Sequence, residues 1–388
     1  MLTIEMLNAA HGDAIWVEYG DVSEKHRILI DGGPAHTYSN GIRRRIEHIS
    51  ENRKIDLFVV THIDADHIDG ALILLQDRER LDLEVNEVWF NTWNHLPETD
   101  RDSFAPLQGE FLGALLHLDG DLREKLNRAF NNEAIYTGND SSRPLPHKAL
   151  PGGASITLLG PDMRDLRRLR ARWSAAIRDF SPGDSNEALR RLKERRTYRP
   201  PVGPAVFSSH NPGNDRSPAN GSSIAFAFQY GPARILFTGD AHARTLEANI
   251  KRLCLAEGVA KVCFDAVKLP HHGSVGNVSK EWISMVDCHR WLISTNGDIF
   301  GHPDLETARL VHSNSGTVPT EFYCNYDTVT TKVLKQHESE GWKALYPNHG
   351  AAMGPAGGLL LTIPVELDKS LLLQDQRSSR GNLEPLHL

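Results

Sequence analysis

Two imidazoles and two carboxylates fall within six consecutive residues, His62, Asp64, Asp66 and His67, directly behind the apolar run Leu57-Phe58-Val59-Val60. That run is short, β-branched and aromatic, which predicts a buried strand ending where the polar cluster begins. A strand end gives ligands rigid support. His62 and Asp64 alternate in register and are expected to share one ion, whereas Asp66 and His67 stand where the chain turns toward the apolar stretch Ile68–Leu75, which leaves room for a second ion. A plainer alternative is a loop in which Asp66 or Asp69 caps the following helix. Four ligand-type side chains in six positions favour the metal site.

Two later segments end in the same way. Ile235-Leu236-Phe237 reads as a strand, and Gly239 permits a tight turn that leaves Asp240 at its end, the natural place for a carboxylate bridging two cations. Val267-Lys268-Leu269 is a further strand signal that delivers His271 and His272 to the same rim. One of the two should ligate. His271 is favoured because it is nearer the strand end, with His272 left to hold a neighbouring loop or to donate a hydrogen bond to substrate.

The His62–His67 run resembles the His-x-His-x-Asp-His pattern of the metallo-β-lactamase superfamily, with Asp64 in place of the second His. That replacement is similar to the branch containing the soluble hydrolase domain of ComEC-type competence proteins. Further segments follow in the order of that branch: Ala10–Val17 with Ile28–Gly33, Asn220–Phe226, Ile235–Ala241, and Asp265–Ser274 with Gly301-His302-Pro303 beyond it. Together they span most of residues 1 to about 345. The resemblance implies an α/β fold, the αββα sandwich of two mixed β-sheets flanked by helices, and phosphodiester cleavage. It also brings Asp31, in the Asp-Gly turn, among the candidate site residues. The chain departs from the pattern at two further points. Asn220 stands where the wider superfamily places a ligand His, with His210 ten residues upstream in a breaker-rich loop, so the first ion is expected to have one protein ligand fewer. His11 replaces the usual Gln of ComEC-type sequences, either as a site contact or as a hydrogen-bonded turn residue.

The expected ligands are thus His62, Asp64, Asp66, His67, Asp240 and His271, three carboxylates and three imidazoles without a thiolate. Such a set admits two divalent ions, Zn²⁺ or Mn²⁺, and the oxygen ligand at Asp64 moves preference toward the harder ion. Two ions with open positions suit hydrolysis, because they acidify a bound water and clamp attacking and leaving oxygens. The expected nucleophile is a bridging hydroxide oriented by Asp66, with His302 or Lys268 neutralising charge that develops on an oxyanion or phosphoryl oxygen.

A chain of 388 residues is ample for one large domain. The expectation is a hydrolase domain over 1–365, with helical insertions at about 94–150 and 162–215, and a mobile tail over 366–388. Strands are predicted near 2–7, 14–19, 26–31, 55–60, 86–91, 154–159, 223–229, 233–238, 264–269 and 290–294. Helices are predicted near 40–52, 68–80, 243–257, 279–286 and 304–314, with another over Phe104–Phe130 interrupted near Gly120. No apolar run approaches a membrane helix and the N-terminus lacks a signal core, so a cytoplasmic protein without membrane contact is expected. Cys254, Cys263, Cys288 and Cys324 have no C-x-x-C spacing and read as reduced thiols.

Residues 162–199 stand out by charge. Leu166, Leu169, Trp173, Ile177 and Phe180 mark an amphipathic helix ending before Pro182-Gly183. Around it, eleven Arg and one Lys face four Asp and two Glu, a surplus of six positive charges in a chain whose net charge is −7. Either this is a solvated helical face, or Arg167, Arg168 and Arg170 contact DNA, RNA or an acidic protein partner. Three functions are therefore open: a metal-dependent phosphodiesterase or nuclease, favoured; a hydrolase of a small ester, lactone or phosphorylated metabolite; and a metal-containing binding module of a defence or competence assembly.

Overall fold

The structure, a computed structural model, describes residues 1–21, 23–97, 107–138, 140–173, 181–194, 214–315 and 318–366. His210, Tyr198, Ile177, Phe180 and the expected tail from 367 onward lie outside these residues.

Among the described residues, fifteen strands form one hydrogen-bonded succession. They are β1 (Leu2–Met6), β2 (Ile15–Gly20), β3 (Lys25–Ile30), β4 (Leu57–Val59), β5 (Val88–Trp89), β6 (His147–Ala149), β7 (Ala154–Leu158), β8 (Phe226–Tyr230), β9 (Ala233–Phe237), β10 (Ala266–Lys268), β11 (Arg290–Ile293), β12 (Glu321–Cys324), β13 (Lys343–Pro347), β14 (Gly350–Met353) and β15 (Leu359–Ile363). Their spatial order is β5-β4-β3-β2-β1-β15-β14-β13-β12-β11-β10-β9-β8-β7-β6. The pairing is mixed: β1 lies antiparallel to β2 and β15, while β9, β10, β11 and β12 run parallel. The two expected sheets are joined at a corner, where Tyr346 and Pro347 lie beside Gly350 and Ala351.

Alternation along the strands builds the layers. Leu57 and Val59 face an inner core together with Ile235 and Phe237, whereas Phe58, Val60 and Leu236 point to the outer faces. Across the inner core the two halves meet through Tyr19 against Phe228 and Tyr230, with ring centroids 5.2 and 5.1 Å apart. On the first outer face pack α1 (Ala65–Asp77), α2 (Leu107–Leu118), α3 (Met163–Trp173) and α4 (Ser185–Glu194). The second face is covered by α5 (Ala243–Glu257), α6 (Lys280–Ser284) and α7 (Leu305–Asn314). The result is the αββα sandwich that the resemblance implied.

Several boundaries differ from expectation. The helix expected over Phe104–Phe130 is broken at Asp119, whose carboxylate caps a new helix, Gly120–Lys125, by accepting from the Leu122 amide at 3.0 Å. Strands β12 to β15 were not foreseen; β15 closes the first sheet against β1 with Leu2 opposite Ile363. The basic segment is anchored by its apolar stripe: Leu166, Leu169 and Trp173 are buried, and Glu110 of α2 accepts the Trp173 indole N–H at 2.8 Å. No helix among the described residues is long and apolar enough to cross a membrane.

Candidate metal centre

The strands β4, β9, β10 and β11 end on one rim, the common position of sites in parallel sheets. β4 runs into Thr61–His67, β9 into Thr238-Gly239-Asp240, and β10 into Pro270–Gly273. Gly239 has φ of +50°, as the tight turn requires. Gly12 lets the Ala9–Asp13 loop lie against the backbone of Asp66, since a Cβ there would sit 1.8 Å from the Asp66 carbonyl oxygen. His271 and His272 both adopt left-handed backbone, with φ of +47° and +57°, and Asp31 does so at +59°. Such conformations cost about 1–3 kcal/mol each in non-glycine residues and persist where the surroundings impose them.

The side chains converge in the cleft. His62, His67 and Asp240 bring ligand atoms within 4.8 Å of one another, as do Asp66, His67 and His272. From Asp240 Oδ2, the Nε2 atoms of His67, His272 and His62 lie at 3.4, 3.8 and 3.9 Å. All three Nε2 atoms and Asp240 Oδ1 are buried without a hydrogen-bond partner. Their opposite ring nitrogens are held in place. His67 Nδ1 lies 2.8 Å from Asp31 Oδ2, His272 Nδ1 lies 2.8 Å from the Ser294 carbonyl, and His62 Nδ1 lies between the Thr61 and Ser223 hydroxyls at 3.0 and 3.3 Å. Imidazoles fixed through one nitrogen with the other left bare and convergent are a donor set suited to divalent cations. Asp64 occupies the capping position of α1, but its side chain makes no cap hydrogen bond; its Oδ2 lies 3.7 Å from His62 Nε2 instead.

The charges agree with this arrangement. Burial opposes the His272 cation, yet Asp240 and Asp13 overcome it and push its pKa up to about 9. His67 is likewise held well above the usual imidazole range, burial being outweighed by Asp240, Asp31 and Asp66. His62, for which burial and the His67 charge act together, is pushed down to about 3. Asp64 rises to about 8 through desolvation and repulsion from Asp66; because 38% of its side chain remains exposed, the like charge is the firmer cause. The carboxylates thus favour positive charge at His67 and His272, as they would favour a divalent cation.

The structure bears on three expectations. His272 joins Asp66 and His67 in a convergent trio, while the favoured His271 stands at the edge of the cluster, its Nδ1 2.9 Å from Asn277 Oδ1 and its Nε2 4.0 Å from Asp240 Oδ2. The left-handed turn brings the second histidine of the pair to Asp240 as well, which linear distance from the strand end could not disclose. Lys268 does not face the cleft: its buried ammonium is paired with Asp13, behind His272. Arg170 does not project from the basic face, because its guanidinium lies 3.5 Å from the centre of the Trp93 ring and donates to the Trp93 and Leu96 carbonyls. Arg167 and Arg168 are exposed.

His302 is buried with Nδ1 3.4 Å from Asp304 Oδ2, and its ring centroid is 5.4 Å from that of His271. His11 is half-buried beside Phe300. Asn220 does not take the place of a ligand histidine; its amide donates to Asp215 Oδ2 at 2.8 Å. Sequence reasoning passed over Asp13, Asp215, Asn277 and Phe300. Asn277 Nδ2 donates both to Asp215 and to the Asp240 carbonyl, linking the two loops. Only Asp13, inside a quoted motif, carried a local signal.

No protein-family model matches the chain. No curated protein matches it either. Solved structures similar to it include CmlA, a diiron β-hydroxylase from Streptomyces venezuelae, at 13% identity and a TM-score of 0.35 over 88% of this chain and 52% of that one. A single-residue mutant of CmlA β-hydroxylase matches at 13% identity and a TM-score of 0.38, over 93% and 54%. The chain therefore spans about half the length of the structures it matches.

Proposed function

We propose that this protein is a dinuclear metal-dependent phosphodiesterase acting on DNA or RNA. The observation that carries the reading is the convergence of three buried, partnerless imidazole Nε2 atoms on Asp240. His62 and Asp64 would hold one ion, Asp66, His67 and His272 the other, and Asp240 would serve both. When bound, two divalent cations supply an acidified water and a positive clamp for the reacting oxygens. Zn²⁺ and Mn²⁺ both suit a set of imidazoles and carboxylates.

The chain's own residues do the positioning. Asp31, the Ser294 carbonyl and the Thr61 and Ser223 hydroxyls hold three imidazoles in one direction each. Ser223 also accepts from the Asp240 amide at 3.1 Å, locking β9's turn to the first loop. Asp66 lies 3.5 Å from His272 Nε2 and is open enough to orient a water. His302 and His271, whose ring centroids are 5.4 Å apart, stand beside the cluster and would supply a donor to a substrate oxygen. Exposed Arg167 and Arg168 favour a polyanion.

The test is hydrolysis of single-stranded DNA, RNA and bis(p-nitrophenyl) phosphate by metal-stripped protein reloaded with Zn²⁺ or Mn²⁺, beside Asp66→Ala. Cleavage of polymer and model diester that is lost in the variant is expected. Silence on all three by protein that binds two ions would overturn the reading and turn attention to small esters.

A further inference from the structure

The imidazoles of the cluster are backed unequally. Behind His67 stands the Asp31 carboxylate, with Oδ2 2.8 Å from Nδ1. Behind His272 stands a second buried carboxylate: Asp13 Oδ1 lies 3.4 Å from Nδ1, which also meets the Ser294 carbonyl at 2.8 Å. A carbonyl oxygen only accepts, so His272 Nδ1 carries a proton and Asp13 stands at that N–H edge. His62 Nδ1 faces neutral groups instead, the Thr61 and Ser223 hydroxyls. Asp13 is held firmly in place. Its Oδ2 accepts from the buried Lys268 ammonium, its amide donates to the Asp66 carbonyl at 3.2 Å, and the Ser294 hydroxyl donates to the neighbouring Gly12 carbonyl at 2.9 Å. Asp13 Oδ1 is buried with no hydrogen-bond partner, and Asp13, Asp31 and His67 also bring ligand atoms within 4.8 Å of one another. The carboxylates at the front of the cluster differ too, the Asp66 side chain being 12% exposed and that of Asp64 38%.

We propose that Asp13, fixed by Lys268, is a positioning residue that makes the ion at Asp66, His67 and His272 the tight one and leaves the ion at His62 and Asp64 the readily exchanged one. The inference rests on the two-ion reading of the site. A carboxylate behind an imidazole holds the proton at the rear nitrogen and makes the front nitrogen a stronger donor to a cation. Both imidazoles of the first set have such a carboxylate, and that set offers three side chains beside Asp240. The second set offers two, a partly exposed Asp64 and an imidazole backed by hydroxyls. The Lys268 ammonium offsets the cost of keeping the Asp13 carboxylate in the interior.

The experiment titrates the metal-stripped full chain with Zn²⁺ against a chromophoric chelator, and repeats the titration on Asp13→Asn, on His62→Ala and on the double variant Asp13→Asn, Lys268→Met. In the unaltered protein the first ion should bind about tenfold or more tighter than the second. Asp13→Asn should weaken the first ion about 10–100-fold, the scale of a lost outer partner of a ligating histidine, and leave the second within about threefold. His62→Ala should lose the second ion and keep the first. The double variant removes both buried charges together, so no carboxylate or ammonium is stranded; it should fold and still show the weakened first ion. Restored affinity in the double variant would overturn the proposal and make Asp13 a structural partner of Lys268. Equal affinities in the unaltered protein, equal weakening of both ions in Asp13→Asn, or loss of the tight ion in His62→Ala would overturn it as well. Two unequal ions with no hydrolysis of any phosphodiester would sink the phosphodiesterase reading and leave this order standing.

Discussion

The cleft and helix α3 both concentrate charge, and the structure uses it in opposite ways. In the cluster, His62, His67, His272 and Asp240 are buried with bare polar atoms turned toward each other, an arrangement whose desolvation cost a bound cation would offset. Along α3 the arginines are divided: Arg170 is committed to Trp93 and two carbonyls, and Arg167 and Arg168 extend into solvent. Density of charged residues in sequence is therefore no guide to function until burial and partners are known. Convergence of unpartnered atoms is the better guide.

The sharpest way to break this contrast is within the cleft. His272→Ala should remove one ion per chain and lower turnover by on the order of 10³-fold, while His271→Ala should keep both ions and lose about tenfold or less. Metal content by mass spectrometry with kcat decides it; equal metal loss in both variants would make His271 a ligand after all. Next in size is Lys268→Met. The substitution strands the Asp13 carboxylate in the interior and should cost about 3–5 kcal/mol in denaturant unfolding. A cost below 1 kcal/mol would show that Asp13 reaches solvent or another cation.

Metal affinity should also depend on pH with a definite sign. His272 at about 9 and His67 above the usual range are protonated near neutrality in the ion-free protein, so a cation must displace their protons. Affinity therefore rises with pH up to about 9 and falls below it, by about a decade per unit for each proton released. Competition titration with a chelator from pH 6 to 9 measures the slope, and a flat profile would remove those protons from the account. The smallest effects are expected on α3. Arg170→Ala should cost about 1–2 kcal/mol of stability through its lost stacking and hydrogen bonds, whereas the Arg167→Gln, Arg168→Gln double variant should leave stability alone. That pair should weaken single-stranded DNA binding only severalfold, more at low salt than at high.

Much of the scaffold was legible because local patterns match the layers. The unbroken apolar runs Leu57–Val60 and Ile235–Phe237 marked buried strands, and the polar ends that follow them marked the rim. Strands β12 to β15 escaped because their value is non-local. Leu359–Ile363 becomes a strand by pairing with Leu2–Met6 across almost the whole chain, and nothing near it in sequence announces that partner. The break at Asp119 was legible as an interruption, since Gly120 weakens a helix, but the Asp119 cap needed the fold to show it.

The sequence by itself determined the chemistry available: a strand ending in His62-x-Asp64-x-Asp66-His67, a carboxylate after the Gly239 turn, and paired histidines after β10, because composition and spacing are written locally. Tertiary structure decided which atoms meet. It brought His272 as well as His271 to Asp240 through two left-handed residues, and set Lys268 on Asp13 and Arg170 on Trp93. Those outcomes depend on backbone dihedrals and on partners up to 255 residues away, where burial and pairing outweigh what any short stretch of sequence prefers.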